Sequence, residues 1–237
     1  MAGKGMTKRF AVLIVGRGKL AQELLQGLRG PAVSRVVPWD ARDTLDGERC
    51  MAVHAGSGRE LGDVVEFCAA TGSVLLDLST AGSEFPAALT FPVVVCPNVN
   101  MLMLSFMAMV KQASKLFQGL DIAITESHQA SKRTSPGTAI HLASSLGLSA
   151  GEIRSERNPQ AQLEVLGIPP EYLDRHAYHE IVIGSPEAQI RLETRVLGKA
   201  PYASGLAKVI ELVSAREPAP GLHDIVDLVM DEGFRKA

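Results

Sequence analysis

The stretch ESHQASKRTSPGTA, residues 126–139, sets a carboxylate (Glu126), an imidazole (His128) and an ammonium (Lys132) ahead of a Pro136-Gly137-Thr138 turn. The alternation of LDIAITESH before it reads as a strand that delivers Glu126 and His128 at its end. PGTAIHLASSLG after it reads as a helix with Ile140, Ala143 and Leu146 inward. Gly137 and Thr138 then lie where that helix begins, and amides at a helix N-terminus favour a carboxylate. An imidazole and an ammonium just upstream of such an anion cradle suit an acidic small molecule that has to be both gripped and protonated. Standing alone, the same composition describes an exposed polar loop. Its place between a strand end and a helix start favours a substrate site.

The first hundred residues are of a kind that could hold a reactant for that site. RFAVLIVGRGKLAQELLQGLRGP reads as a buried strand, a glycine turn, and a helix with Leu20, Leu24, Leu25 and Leu28 on one face, ending at Gly30-Pro31. Gly16 permits the tight turn, Gly18 lets a pyrophosphate approach the backbone, and Ala21 keeps the helix close to the strand. Gly16, Arg17, Gly18, Lys19 and Leu20 are therefore candidate cofactor-binding residues. A second strand, VSRVVPWD, ends at Asp40, where an acid would bind the adenine ribose hydroxyls. Arg17 and Arg42 are guanidinium groups able to accommodate a 2′-phosphate, so either NADH or NADPH is expected.

The alternation continues through CMAVHAGS, LGDVVEFCAATG, SVLLDLSTAGS and FPVVVCPNVN. That order is one of a doubly wound parallel sheet of the Rossmann type, with its ligand side at the strand C-termini. The loops just past the strands carry His54, Ala55, Ser79, Thr80, Asn98 and Asn100, small, amide and imidazole groups suited to a nicotinamide carboxamide. Taken singly, each of these loops reads as a turn.

NMLMLSFMAMVKQASKLF reads as a long helix whose buried face carries Leu102, Phe106, Met109, Ala113, Leu116 and Phe117, its methionines serving as core packing. Beyond residue 150 the chain runs through a polar EIRSERN, two alternating strands (HAYHEIVIG and AQIRLETRVLG), an amphipathic helix (PYASGLAKVIELVSARE) and a short closing GLHDIVDLVM. This predicts a second, mixed sheet in a C-terminal α+β domain, within an α/β fold class overall. His176 and His179 stand three apart, but on a strand they face opposite ways, so no metal site is expected.

Composition bounds the partners. At 237 residues the chain can bury a core without staples, and 24 basic against 26 acidic side chains leave a net charge of −2. No basic run interleaved with aromatics suggests nucleic acid, and no run is long enough to span a bilayer. The apolar FAVLIV near the N-terminus is short for a signal peptide and runs into glycines. Cys50, Cys68 and Cys96, odd in number and set in apolar contexts, read as reduced core thiols and point to the cytoplasm.

Together these motifs resemble the dihydrodipicolinate reductases, enzymes of lysine and diaminopimelate biosynthesis that reduce a cyclic imine dicarboxylate with NAD(P)H. The resemblance runs in order through GRGKLA, STAG, PNVN with its Met-rich helix, ESHQASKRTSPGTA, HEIVIG and YASGLAKV. It implies that His128 is the proton donor, that Lys132 acts on the substrate, and that Gly137 and Thr138 hold a substrate carboxylate. It also implies a cofactor domain of residues 1–100 with 208–237, a substrate-binding and oligomerisation domain of residues 101–207, and a homotetramer built through the sheets. Three departures stand out. Gln129 replaces the family's second histidine, the segment from Lys132 to Gly137 is one residue shorter, and SPGT reverses the usual Ser and Pro. Gln129 still donates a hydrogen bond and remains a substrate-binding candidate. The departures leave open a related reductase or dehydrogenase acting on another imino or amino acid, or a catalytically silent NAD(P)-binding protein.

Overall fold

The structure is a computed structural model that describes residues 8–56, 58–79, 83–132, 136–198 and 202–231. The wholly buried run Phe10–Val15 forms strand β1, and helix α1 (Lys19–Gly27) follows the glycine turn with Ala21 and Leu24 inward. Strands β2 (Val33–Pro38) and β3 (Met51–His54), helix α2 (Leu61–Thr71), and strands β4 (Val74–Asp77) and β5 (Pro92–Val95) continue the alternation. Helix α3 (Met101–Ala113) leads to strand β6 (Ile122–His128), helix α4 (Gly137–Ser145), strand β7 (Ile153–Glu156) and helix α5 (Pro159–Glu164). A hairpin of β8 (His176–Ser185) and β9 (Ala188–Leu197) precedes helix α6 (Tyr202–Arg216), strand β10 (Gly221–Asp224) and helix α7 (Ile225–Met230). The chain divides into two compact units, residues 1–105 with 201–237 and residues 106–200.

In the first unit six strands pair in parallel, in the order β2-β1-β3-β4-β5-β10. A parallel sheet covered on both faces calls for unbroken apolar runs, and β1, β3 and β4 are buried at every position. From β1 the chain passes to β2 on one side and returns to β3 on the other. A ligand crevice opens at such a reversal, beyond the carboxyl ends of the strands. Cys50, Cys68 and Cys96 are buried free thiols, as their apolar contexts suggest, and burial pushes all three up. The sixth strand, β10, is not legible in GLHDIVDLVM: four residues carry no periodicity, and Leu222 is 59% exposed, so pairing with β5 decides its state.

In the second unit the order is β7-β6-β8-β9, with β6 and β7 parallel and the remaining pairs antiparallel, the mixed sheet expected. EIRSERN is more ordered than its polarity suggests, because Ile153–Glu156 pairs with β6 as β7. Helix α5, too short to show an apolar period, starts at Pro159 with the Asn158 side chain accepting from the Gln160 and Ala161 amides. Two helix faces differ from expectation. Leu102, Met109 and Leu116 are exposed, while Met103, Leu104, Met107 and Val110 are buried. That segment is apolar nearly all round, so its pattern does not choose a face. On α4 the buried residues are Thr138, Ala139, Leu142 and Ala143, with Ile140 and Leu146 only half-buried. Among the described residues no helix is long and apolar enough to cross a membrane.

Candidate active site

Strand β6 places Glu126 and His128 on one face with Ile124, because side chains alternate along a strand. Its antiparallel register sets Ile124 opposite Ile181 and Glu126 opposite His179. This face is therefore apolar at one end and ionisable at the other. The Glu126 carboxylate is completely buried, and it accepts from His128 Nδ1 (2.8 Å), Ser155 Oγ (2.5 Å) and Arg157 Nη2 (2.6 Å). Burial alone would raise the Glu126 carboxyl, but those donors outweigh it and hold the group at about 2. Since Nδ1–H donates to the carboxylate, any proton that His128 exchanges is on Nε2. Burial lowers the His128 pKa, with Lys132 and Arg157 adding to the effect and Glu126 opposing it.

Lys132 follows a turn in which its amide donates to the Gln129 carbonyl at 2.9 Å, and its own carbonyl accepts from Arg157 Nε at 3.4 Å. Burial lowers the Lys132 pKa, with Glu126 opposing. Gln129 is half-buried. Gly137 is the first residue of α4, Thr138 is buried beside it, and α4 packs on β6 and β7. The structure thus brings His128 and Lys132 together through Glu126 and Arg157.

A second network braces β6 from behind. His176 Nδ1 donates to the Tyr172 carbonyl at 3.0 Å, which leaves Nε2 to accept from Ser127 Oγ at 2.9 Å. The buried Gln162 amide reaches the His128 carbonyl (2.7 Å), Ser127 Oγ (3.0 Å) and the Glu156 carbonyl (3.2 Å). His176 and His179 do face opposite ways. His179 lies edge-to-face with His128, ring centroids 5.8 Å apart, and burial followed by the His128 charge lowers it to about 3. Arg157, Ser155, Gln162 and His179 have no single-residue signature as site components. Only the carboxylate left at position 126, two residues before the imidazole, hints that donors must surround it.

In the first unit, Gly16 has φ 124° and a Cβ there would stand 2.7 Å from the Ala55 carbonyl oxygen, while Gly18 faces open space. Helix α1 begins at Lys19 with no side-chain cap and no acidic residue in its first turn. The amides of Lys19 and Leu20 thus belong to a bare helix start, which fits the pyrophosphate of a dinucleotide. Asp40 lies two residues beyond β2, in a short 3-10 helix, and pairs with Arg17 at 3.1 Å, both largely exposed. Arg42 instead covers the Trp39 ring at 4.6 Å and donates to the Trp39 carbonyl.

The loop residues divide. Ala55 is half-buried against the Gly16 turn, and its amide donates to Val15. Ser79 donates through its amide and hydroxyl to Asp77, and Thr80 lies outside the described residues. The Asn98 and Asn100 side-chain oxygens accept from the Asn100 and Leu102 amides, which shapes the turn into α3. Short amide side chains before a helix commonly accept from the backbone in this way. His54, the last residue of β3, is fully buried, with its Nδ1 on Asp77.

The family model for the C-terminus of dihydrodipicolinate reductase matches residues 103–229. A probable 4-hydroxy-tetrahydrodipicolinate reductase 1, chloroplastic, of Oryza sativa subsp. japonica is 30% identical over 156 residues, covering 60% of this chain and 46% of that protein. The 4-hydroxy-tetrahydrodipicolinate reductase of Rickettsia akari (strain Hartford) is 30% identical over 149 residues, covering 60% of this chain and 59% of that protein. The chain's match thus spans about half the length of these curated relatives. Among solved structures, a dipicolinate-bound dihydrodipicolinate reductase from Paenisporosarcina sp. TG-14 aligns with a TM-score of 0.57 at 16% identity, covering 91% of this chain and 97% of that one. At that identity the likeness speaks to the fold. With more than half of its length matched by the family model, the chain belongs to the dihydrodipicolinate reductase family.

Proposed function

We propose that the protein reduces a cyclic imine dicarboxylate with NADH or NADPH, the 4-hydroxy-tetrahydrodipicolinate step of lysine and diaminopimelate biosynthesis. The observation that carries this reading is the Arg157–Glu126–His128 array, in which Glu126 fixes the His128 ring through Nδ1 and the Lys132 charge is close enough to be felt at His128. The nicotinamide supplies the hydride. The Gly16–Leu20 turn holds its pyrophosphate, and Asp40 with Arg17 meets the adenine ribose. With the 4-hydroxyl lost as water, hydride adds to the conjugated ring of the imine, His128 donates the Nε2 proton that completes the reduction, and Glu126 stabilises the imidazolium until that proton is transferred. Lys132 and the start of α4 at Gly137 and Thr138 neutralise substrate carboxylates. Burial keeps the Lys132 ammonium from being fully hydrated, which strengthens its pull on an anion.

Gln129 and the altered SPGT turn favour a second reading, a related reductase of another imino acid, since an amide replaces an imidazole at a substrate position. The family's homotetramer, assembled through the second-unit sheet, is the expected oligomer, and scattering measurements test it. Three buried free cysteines suit a reducing, cytoplasmic setting. The deciding experiment follows NADPH and NADH oxidation with enzymatically generated imine. Turnover that falls by about 10²–10⁴-fold in His128→Ala, and comparably in Lys132→Ala, with cofactor binding retained, supports the first reading. Cofactor binding without turnover of this imine transfers it to the second.

A further inference from the structure

Strand β3 ends at His54, which stands in register with Val15 of β1 and Asp77 of β4, at the reversal point of the sheet. His54 has no exposed surface, and its Nδ1 lies 2.8 Å from Asp77 Oδ1. Asp77 also accepts from the Ser79 amide and hydroxyl, at 3.1 and 3.2 Å. Burial would raise the Asp77 carboxyl, yet the bonds from His54, Ser83 and Ser79 bring it below its ordinary value. Asp77 is therefore a carboxylate, the ring proton belongs on Nδ1, and in the neutral imidazole Nε2 is an acceptor. That Nε2 is buried and has no partner.

Glu60 is the residue before α2, and its side chain makes no capping bond to that helix. Its Oε2 is likewise buried without a partner. Both orphaned acceptors converge on the bare face of Gly56, where a Cβ would stand 3.0 Å from Glu60 Oε2 and 3.1 Å from His54 Nε2. Gly56 in turn abuts the phosphate turn, since a Cβ on Gly16 would come within 3.0 Å of the Gly56 Cα. Two buried acceptors beside one glycine are costly unless a group with two polar hydrogens meets them. The Glu60 carboxylate rules out an anion as that group.

We infer that His54 Nε2 and Glu60 Oε2 are a two-acceptor site for the vicinal diol of the nicotinamide-side ribose, with Asp77 positioning the imidazole. The assignment rests on the cofactor reading above. Each ribose adjoins the pyrophosphate, the adenine-side one falls to Asp40, and the nicotinamide carboxamide is a whole ring further away. The ribose diol is therefore the donor pair next to the Gly16 turn.

Calorimetry on the full chain with ADP, ADP-ribose and NAD⁺ tests this, because only the last two carry the distal ribose. The wild type should bind ADP-ribose about tenfold more tightly than ADP, as two modest hydrogen bonds allow. Glu60→Met removes one acceptor, and Gly56→Ala closes the notch at a glycine whose φ is not positive. Both variants should bring the ratio close to one while ADP affinity stays within about twofold. An unchanged ratio in both variants overturns the inference and assigns the notch to trapped water. A loss confined to NAD⁺, with ADP-ribose unaffected, overturns it in favour of the carboxamide. Wild-type protein that binds no ADP at all overturns the cofactor reading itself, and this site with it.

Discussion

At the scale of single residues, the chemistry depends on how Glu126 is surrounded. Three donors hold it ionised at about 2 despite burial, and it raises the proton affinity of a His128 that burial otherwise lowers. A general acid works only while protonated, so kcat/KM is expected to rise as pH falls from the ordinary histidine value of 6.5 towards the lower one of His128. Glu126→Gln removes the opposing interaction, so the profile should move to lower pH. At neutral pH the rate should drop by about tenfold for each unit moved, read from kcat/KM across a pH series. A profile that stays in place would assign the proton to another group. In the first unit, Arg17 and Asp40 neutralise each other, which suits both cofactors. Asp40→Asn releases Arg17 and should shift the ratio of kcat/KM values towards NADPH by about tenfold or more. An unaltered ratio would place the adenine ribose elsewhere.

At the scale of elements, a turn and a short helix do the positioning. Gly16 combines a positive φ with an approach to Ala55 that leaves no room for a methyl group. Gly16→Ala should cost about 1–3 kcal/mol in urea unfolding and weaken cofactor binding, since the turn has to open. Helix α5 exists largely to present Gln162, whose amide joins the ends of β6 and β7. Gln162→Leu leaves the His128 and Glu156 carbonyls without that donor and should destabilise by about 1–3 kcal/mol. Asn158→Ala, which removes only the helix cap, should cost about 1 kcal/mol by the same measurement.

At the scale of the whole molecule, buried histidines make stability depend on acid. His128, His176 and His179 all have lowered values, His179 to about 3, so the unfolded chain binds more protons than the folded one below 6.5. Stability is then complete above pH 6.5 and falls as pH drops through the folded values. Glu126 adds a further loss between 4.5 and about 2. Melting temperatures taken from pH 7 downwards should show this decline. His179→Asn should flatten its slope between about 6.5 and 3 by close to one proton, whatever its effect on stability at pH 7. An unchanged slope would show that His179 titrates normally.

Local sequence determined much of this. The unbroken apolar runs of β1, β3 and β4, the glycine turn before α1 and the alternation of β6 are short-range patterns, so the parallel sheet, the mixed sheet and the position of His128 at a strand end were legible. Tertiary structure decided the rest, because it depends on partners distant in the chain. β7 and β10 are strands through pairing with β6 and β5, and α3 takes its buried face from its neighbours. Arg157 and Ser155 reach Glu126 from about thirty residues away. His54 reads as a loop contact, yet pairing of β3 with β4 buries it on Asp77 and leaves one nitrogen without a partner. A residue's type states which bonds it can make, and only the fold decides which of them remain unmade.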